Sequence, residues 1–169
     1  MRKQALNILV MLSLGVLFSC NTNSGGYNNG QFSSGGTNDL NPDGNVIIGT
    51  PAEFQSAVGD RVFFGTDQSN LSAEALVVLD AQVNWLMQNI DYVVVIEGHA
   101  DEQGTREYNL ALGARRASAV KEYMVSLGVA GSRLKTVSYG KERPLEICSN
   151  ERCYAKNRRS VSVLDNLNF

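Results

Sequence analysis

The chain has 169 residues, of which 43% are hydrophobic and 19% are charged, and its formal net charge is −2. A chain of this length can form one domain with additional segments. The slightly acidic charge gives no reason to expect a nucleic-acid partner. The chain has one histidine, so a metal site built from several histidines is excluded.

The N-terminus has the pattern of a signal peptide. Arg2 and Lys3 precede a mostly apolar run at residues 6–18. As a helix this run would span only about 20 Å, which is too short for a bilayer core of about 30 Å. A buried core helix is the alternative, but no polar face interrupts the run. We therefore predict a signal peptide at residues 1–19.

The residues that follow resemble a bacterial lipoprotein box, with Leu17 three positions before Cys20 and the small Ser19 just before it. The resemblance implies cleavage before Cys20 and acylation of that cysteine. Several acyl chains would anchor the chain stably in a membrane. Asn21 stands where an aspartate would signal retention in the inner membrane. The resemblance thus implies a lipid anchor in the outer membrane, with the domain facing the periplasm.

A polar segment separates this cysteine from the globular part. Of the thirty residues at 21–50, twenty are Asn, Gly, Ser or Thr. Such a composition has too little apolar surface to offset the entropy of ordering. We predict a lipidated Cys20 with a flexible tether at 20–50, followed by one domain at 51–169.

The first half of the domain predicts a strand, a helix and a second strand. Residues 60–64 form a candidate strand, and residues 65–70 form a loop. Ser72 is a candidate N-cap for an amphipathic helix, whose apolar positions recur at Leu76, Leu79, Val83 and Leu86. Residues 92–97 are apolar enough for a strand that is buried on both faces.

A second helix is predicted at residues 107–127, with Gly128 ending it. One stripe predicts its core face: Leu110, Ala114, Ala117, Val120, Met124 and Leu127. A separate stripe lies about 100° away and contains Asn109, Leu112 and Arg116.

Two more strands complete the predicted domain. They lie at residues 134–139 and 159–164, joined by a loop with Pro144, and Val161 and Val163 alternate in the last one. The order is β-α-β-α-β-loop-β. It predicts an α+β sandwich with a mixed four-stranded sheet and helices packed on one side.

Cys148 and Cys153 enclose four residues just before the last strand. In the oxidising compartment that a signal peptide implies, a disulfide is the expected state. A metal site is the weaker alternative, because His99 is far away in the sequence.

Three segments carry a resemblance to a known family. The segment at 98–117 begins Gly98-His99-Ala100-Asp101 and ends with Arg116-Ala117. It resembles the signature of OmpA-like peptidoglycan-binding domains, and the segments at 137–144 and 157–159 match two further blocks of that family. The resemblance covers about residues 58–164. It implies the OmpA-like fold and non-covalent binding of peptidoglycan.

The family resemblance also implies a site. Its ligand is meso-diaminopimelate of the peptidoglycan stem peptide, whose free end carries an ammonium and a carboxylate. By resemblance Asp101 takes the ammonium and Arg116 the carboxylate, which suits the fork of a guanidinium. The remaining members of the predicted site are the pocket residues Asn109 and Leu112, the wall and backbone donors of Phe64 and Gly65, and Arg158.

The resemblance implies a non-catalytic tether of the outer membrane to the cell wall. Its implied partners are the β-propeller protein and other components of the Tol system, with a role in envelope constriction during division. An OmpA-like lipoprotein outside the Tol system is the alternative. A wall hydrolase is a third hypothesis, but the sequence has no Ser-His-Asp, Cys-His or zinc-ligand pattern, and we expect no cofactor. Glu97 and His99 could form a catalytic pair, although a lone histidine at a strand end is more often structural.

Overall fold

The computed structural model describes residues 40, 41 and 44–166. The predicted signal peptide, the lipidation site at Cys20 and most of the predicted tether lie outside the described residues. Within the described part of the chain, no helix has both the length and the apolar character needed to cross a membrane.

The described elements follow one another as a short helix, a π turn and then alternating strands and helices. They are α1 (Pro51–Glu53), the π turn (Phe54–Val58), β1 (Arg61–Phe63), α2 (Ala73–Gln88), β2 (Tyr92–His99), α3 (Arg106–Ser126), a 3-10 turn (Gly131–Arg133), β3 (Leu134–Gly140), α4 (Glu151–Asn157) and β4 (Arg159–Asn166). Ser72 caps α2 as predicted, because its hydroxyl accepts the N–H of Ala75 at 3.2 Å.

The sheet has four strands in the order β1-β4-β2-β3. Strand β4 runs antiparallel to β1 and β2, whereas β2 and β3 are parallel. The apolar core lies between the sheet and helices α2 and α3, where Val94 and Ile96 of β2 meet Leu79, Leu86, Ala117 and Met124. The predicted α+β class with a mixed four-stranded sheet is confirmed.

The predicted core face of α3 is wrong at three positions. Leu110 and Leu127 are 44% and 43% exposed, and Ala114 is exposed as well. The buried residues are Asn109, Leu112, Gly113, Arg116, Ala117, Val120 and Met124. The predicted site stripe therefore joins Ala117, Val120 and Met124 of the predicted core stripe in one continuous buried face.

A close contact between two glycines explains this orientation. A Cβ atom added to Gly98 of β2 would lie 1.8 Å from the carbonyl oxygen of Gly113 in α3. The helix backbone thus rests directly on the strand at Gly113. At 100° per residue, this contact turns Asn109 and Arg116 towards the sheet and Ala114 away from it.

Strand β4 buries its serines on the helix side of the sheet. Val161 and Val163 share one face of the strand, as predicted, and Ser160 and Ser162 share the other. Val163 is 40% exposed, whereas both serines are buried. Ser162 compensates for its burial by donating to Oε1 of Gln82 in α2 at 2.8 Å.

The segment predicted as a loop before β4 contains helix α4. Its N-cap is Asn150, whose side chain accepts the N–H of Cys153 at 3.3 Å. The predicted Cys148–Cys153 disulfide is confirmed, with Cα atoms 5.9 Å apart. Sequence periodicity missed this helix because it is two turns long and has only Cys153 and Asn157 buried.

Candidate functional site

Asp101 provides a buried carboxylate just past the end of β2. Its side chain is 8% exposed. One oxygen, Oδ1, accepts the N–H of Gln103 at 3.2 Å, which closes a turn. The preceding residue is fixed to the neighbouring strand, because the N–H of Ala100 donates to the carbonyl of Gly140 at 2.8 Å. The carboxylate therefore has a defined position at one end of the sheet.

Arg158 is the arginine that pairs with this carboxylate. It follows α4, and its Nη1 donates to Oδ2 of Asp101 at 3.1 Å. Its Nε donates to the carbonyl of Phe64 at 3.2 Å, and its Nη2 donates to Glu151. Burial alone lowers the pKa of Arg158, but the bonds to Glu151 and Asp101 outweigh it, so the pKa is raised.

Arg116 lies in the same region but has a different set of partners. It is fully buried, and Nε, Nη1 and Nη2 donate to the backbone carbonyls of Gln68, His99 and Gly65 at 2.8, 2.8 and 3.1 Å. Its guanidinium carbon lies 5.2 Å from the centre of the Phe64 ring. Burial lowers the pKa of Arg116 to about 10.

The other predicted site residues surround these charges. Asn109 is buried and donates through Nδ2 to the carbonyl of Gln103 at 2.7 Å, which holds the loop after Asp101. Leu112 is also buried. The N–H of Phe64, predicted as a ligand donor, already donates to the carbonyl of Arg158 at 2.9 Å. Gly65 contributes a carbonyl acceptor for Arg116.

The structure also brings in Glu151 and Glu102, which sequence reasoning missed. Glu151 bonds to Arg158, and this contact lowers the pKa of Glu151. Oε1 of Glu102 accepts the hydroxyls of Ser149 and Tyr154 at 2.6 and 3.0 Å. Glu151 stands seven residues before Arg158, which is two turns of a helix. Residues at this spacing are about 10 Å apart along the helix axis, whereas helical side-chain pairs form three or four residues apart, so no local signal in the sequence indicates this pair.

His99 is the last residue of β2 and contacts the site through its backbone carbonyl. Its ring is 1% exposed, and Nε2 lies 3.3 Å from Oε2 of Glu97. Its Nδ1 is buried with no hydrogen-bond partner among the described residues. The ring centre lies 5.6 Å from that of Tyr139. Through its carbonyl, which accepts from Arg116, His99 contributes to the framework of the site.

The assembled site combines charges of both signs in a small, largely buried volume. Asp101 and Glu151 both pair with Arg158, and Arg116 is close enough for its pKa to respond to the charges of Asp101 and Arg158. Among residues 40, 41 and 44–166, no group of three or more His, Cys, Asp or Glu side chains could hold a metal ion. Fixed carboxylates and guanidiniums side by side can pair with a ligand group that carries both an ammonium and a carboxylate.

Comparison with known proteins places this chain and its fold in a family. A model of the OmpA family matches residues 63–158. The peptidoglycan-associated lipoprotein of Mesorhizobium japonicum is 54% identical over 125 residues, which cover 74% of each chain. That of Rhizobium meliloti is 53% identical over 121 residues, covering 72% of this chain and 69% of the relative.

A solved structure agrees with these sequence relatives. The crystal structure of the peptidoglycan-associated lipoprotein from Burkholderia pseudomallei is 32% identical, with a TM-score of 0.65. The match covers 69% of this chain and 100% of that one. The chain therefore belongs to the OmpA family and is similar to the peptidoglycan-associated lipoproteins.

Proposed function

We propose that this protein binds peptidoglycan non-covalently through the diaminopimelate of the stem peptide. The observation that carries the proposal is the buried Asp101 carboxylate beside the Arg158 and Arg116 guanidiniums. Similarity to peptidoglycan-associated lipoproteins supports peptidoglycan as the polymer that is bound. We propose that Asp101 accepts the ligand ammonium and that the arginines face its carboxylate.

The local geometry suits a small zwitterionic end group. Asp101 already accepts one backbone N–H and one guanidinium N–H, and a carboxylate has about four acceptor positions in total. An ammonium can therefore join without displacing the turn. Arg116 uses three of its five N–H donors on backbone carbonyls, so a ligand carboxylate can meet it only through the two N–H groups that remain on Nη1 and Nη2. Asn109, Leu112, Phe64 and Gly65 remain the proposed lining of the pocket.

We propose that a lipid on Cys20 holds one end of the chain in the outer membrane. The domain would then reach the wall from the periplasmic side across a tether at residues 20–50. Each site would bind weakly, because few polar contacts remain favourable after the costs of association. Many anchored copies near the wall would raise the effective concentration and retain the link.

We further propose that the protein acts without catalysis as a component of the Tol–Pal system. Its partners would be the Tol β-propeller protein and other Tol components, and it would support envelope integrity and constriction in division. A wall-binding lipoprotein outside the Tol system is the alternative. Pull-down of the Tol β-propeller protein by this chain separates the two, because the alternative predicts no capture.

Co-sedimentation with intact sacculi tests the wall-binding proposal. The purified full chain is expected to pellet with sacculi. Asp101→Asn is expected to stay folded at the assay temperature and to remain in the supernatant, with a lowered melting temperature because the buried Arg158 loses an ionised partner. Asp80→Asn is the matched control, since Asp80 pairs with Tyr123 at 2.7 Å in the helical layer. Equal pelleting of wild type and Asp101→Asn would refute the proposed site, and release of soluble muropeptides would refute a non-catalytic role.

A further inference from the structure

The Glu151–Arg158 pair joins an exposed carboxylate to a buried guanidinium. The side chain of Glu151 is 70% exposed, whereas that of Arg158 is 6% exposed. The other carboxylate on the same guanidinium, Asp101, is 8% exposed. Glu151 therefore covers the side of Arg158 that faces solvent.

The contacts of the guanidinium divide into an inner and an outer set. On the inner side, Nε donates to the carbonyl of Phe64 and Nη1 donates to Asp101. On the outer side, Nη2 donates to Oε1 of Glu151, and Nη1 lies 3.4 Å from Oε2 of the same residue. Glu151 thus engages the fork with both oxygens, in the manner of a bidentate carboxylate ligand.

We propose that Glu151 occupies the position that the ligand carboxylate takes in the complex. This inference rests on the proposed function. It adds that Arg158 binds the ligand carboxylate and that the ligand displaces Glu151 from it. The ligand carboxylate replaces the Glu151 carboxylate on Arg158, while Asp101 accepts the ligand ammonium. The exchange keeps one bidentate carboxylate on the guanidinium, and it returns a largely exposed side chain to water.

The surrounding structure allows Glu151 to leave without unfolding its helix. The Cys148–Cys153 disulfide fixes the start of α4. At its other end, Oδ1 of Asn157 accepts the N–H of Leu145 at 2.7 Å. Only the Glu151 side chain has to move. The inner contacts with Phe64 and Asp101 keep Arg158 in place after the exchange.

The exchange makes Glu151 a specificity determinant for a free carboxylate. A neutral carboxamide cannot replace an ionised carboxylate on a guanidinium without losing the stronger, charge-assisted bonds. The site should therefore discriminate between diaminopimelate with a free terminal carboxylate and diaminopimelate whose terminal carboxylate is amidated.

Calorimetric titration of the full chain tests the exchange. The probes are the tripeptide L-Ala-γ-D-Glu-meso-diaminopimelate and the same peptide amidated at the D-centre carboxylate of diaminopimelate, which is the carboxylate beside the free ammonium. Glu151→Gln should bind the free-carboxylate peptide roughly 3- to 10-fold more tightly, because an internal competitor of the strength of a partly exposed ion pair is removed. Its affinity for the amidated peptide should change less than about 2-fold.

Glu146→Gln is the matched control. It removes the same charge from the same region, but Glu146 pairs with Lys156 at 2.8 Å. The affinity of Glu146→Gln for the free-carboxylate peptide should stay within about 2-fold of the wild-type affinity. A weaker or unchanged affinity in Glu151→Gln, or an equal gain for both peptides, would overturn the exchange alone. A wild-type chain that binds neither peptide would refute the proposed function, and this inference with it.

Discussion

Replacing Arg116 with alanine should destabilise the domain strongly. The substitution removes three hydrogen bonds from a fully buried guanidinium to backbone carbonyls. The carbonyls of Gly65 and Gln68 belong to exposed loop residues and can turn to water. The His99 carbonyl lies in the buried interior, where an unpaired acceptor costs about 1–3 kcal/mol. With the lost packing against Phe64, we expect a total loss of about 3 kcal/mol.

Urea unfolding at pH 7 measures this loss as a change in the free energy of unfolding. The adjacent Arg115→Ala is the control, because Arg115 is exposed and its guanidinium carbon lies 5.9 Å from the Tyr108 ring. It should change the stability by less than about 0.5 kcal/mol. A loss below about 1 kcal/mol in Arg116→Ala would refute the reasoning that the three carbonyls depend on this side chain.

Three further predictions concern packing, acid stability and the disulfide. Bonds from the Trp85 indole and the Gly49 N–H lower the pKa of Glu53. The ionised Glu53 therefore stabilises the folded state above the unfolded pKa of about 4.3, and this stabilisation is lost as the pH falls through the lower folded pKa. Trp85 fluorescence during acid titration follows the loss. Gly98→Ala should cost at least about 3 kcal/mol in urea unfolding, because its Cβ would meet an α3 carbonyl. Joint replacement of both disulfide cysteines by serine should cost about 2 kcal/mol for a loop of this length.

Each of these predictions has a control and a contradicting result. Glu53→Gln should weaken the dependence of stability on acid pH, and an unchanged dependence would contradict the assigned bonds. Gly131→Ala meets only a Val125 methyl at 3.8 Å, so a loss equal to that of Gly98→Ala would contradict the close-contact argument. An oxidised and a reduced wild-type chain of equal stability would contradict the effect assigned to the disulfide.

The sequence predicts the elements whose signals are local. Ser72 marks the start of α2 because its hydroxyl can cap a free backbone N–H. The β-branched run at Val93–Ile96 predicts β2, and Gly128 marks the end of α3. These signals involve residues a few positions apart, so a single sequence is enough to read them.

The orientation of α3 and the partners of the site depend on distant contacts. Gly98 and Gly113 set the face of α3, and nothing in the local pattern shows that the two meet. Asp101 and Arg158 are 57 positions apart. The sequence-based expectation placed Arg116 opposite Asp101, whereas the structure pairs Asp101 with Arg158 and gives Arg116 three carbonyls. Such pairings follow from the sheet order and the course of α4.

Binding to two kinds of wall tests the proposed recognition most directly. Sacculi with meso-diaminopimelate in the stem peptide present both an ammonium and a carboxylate, whereas sacculi with L-lysine at that position present the ammonium alone. The full chain should pellet with the diaminopimelate sacculi and remain in the supernatant with the lysine sacculi. Equal retention by both walls would contradict recognition of a zwitterionic end group by Asp101 and its neighbouring arginines.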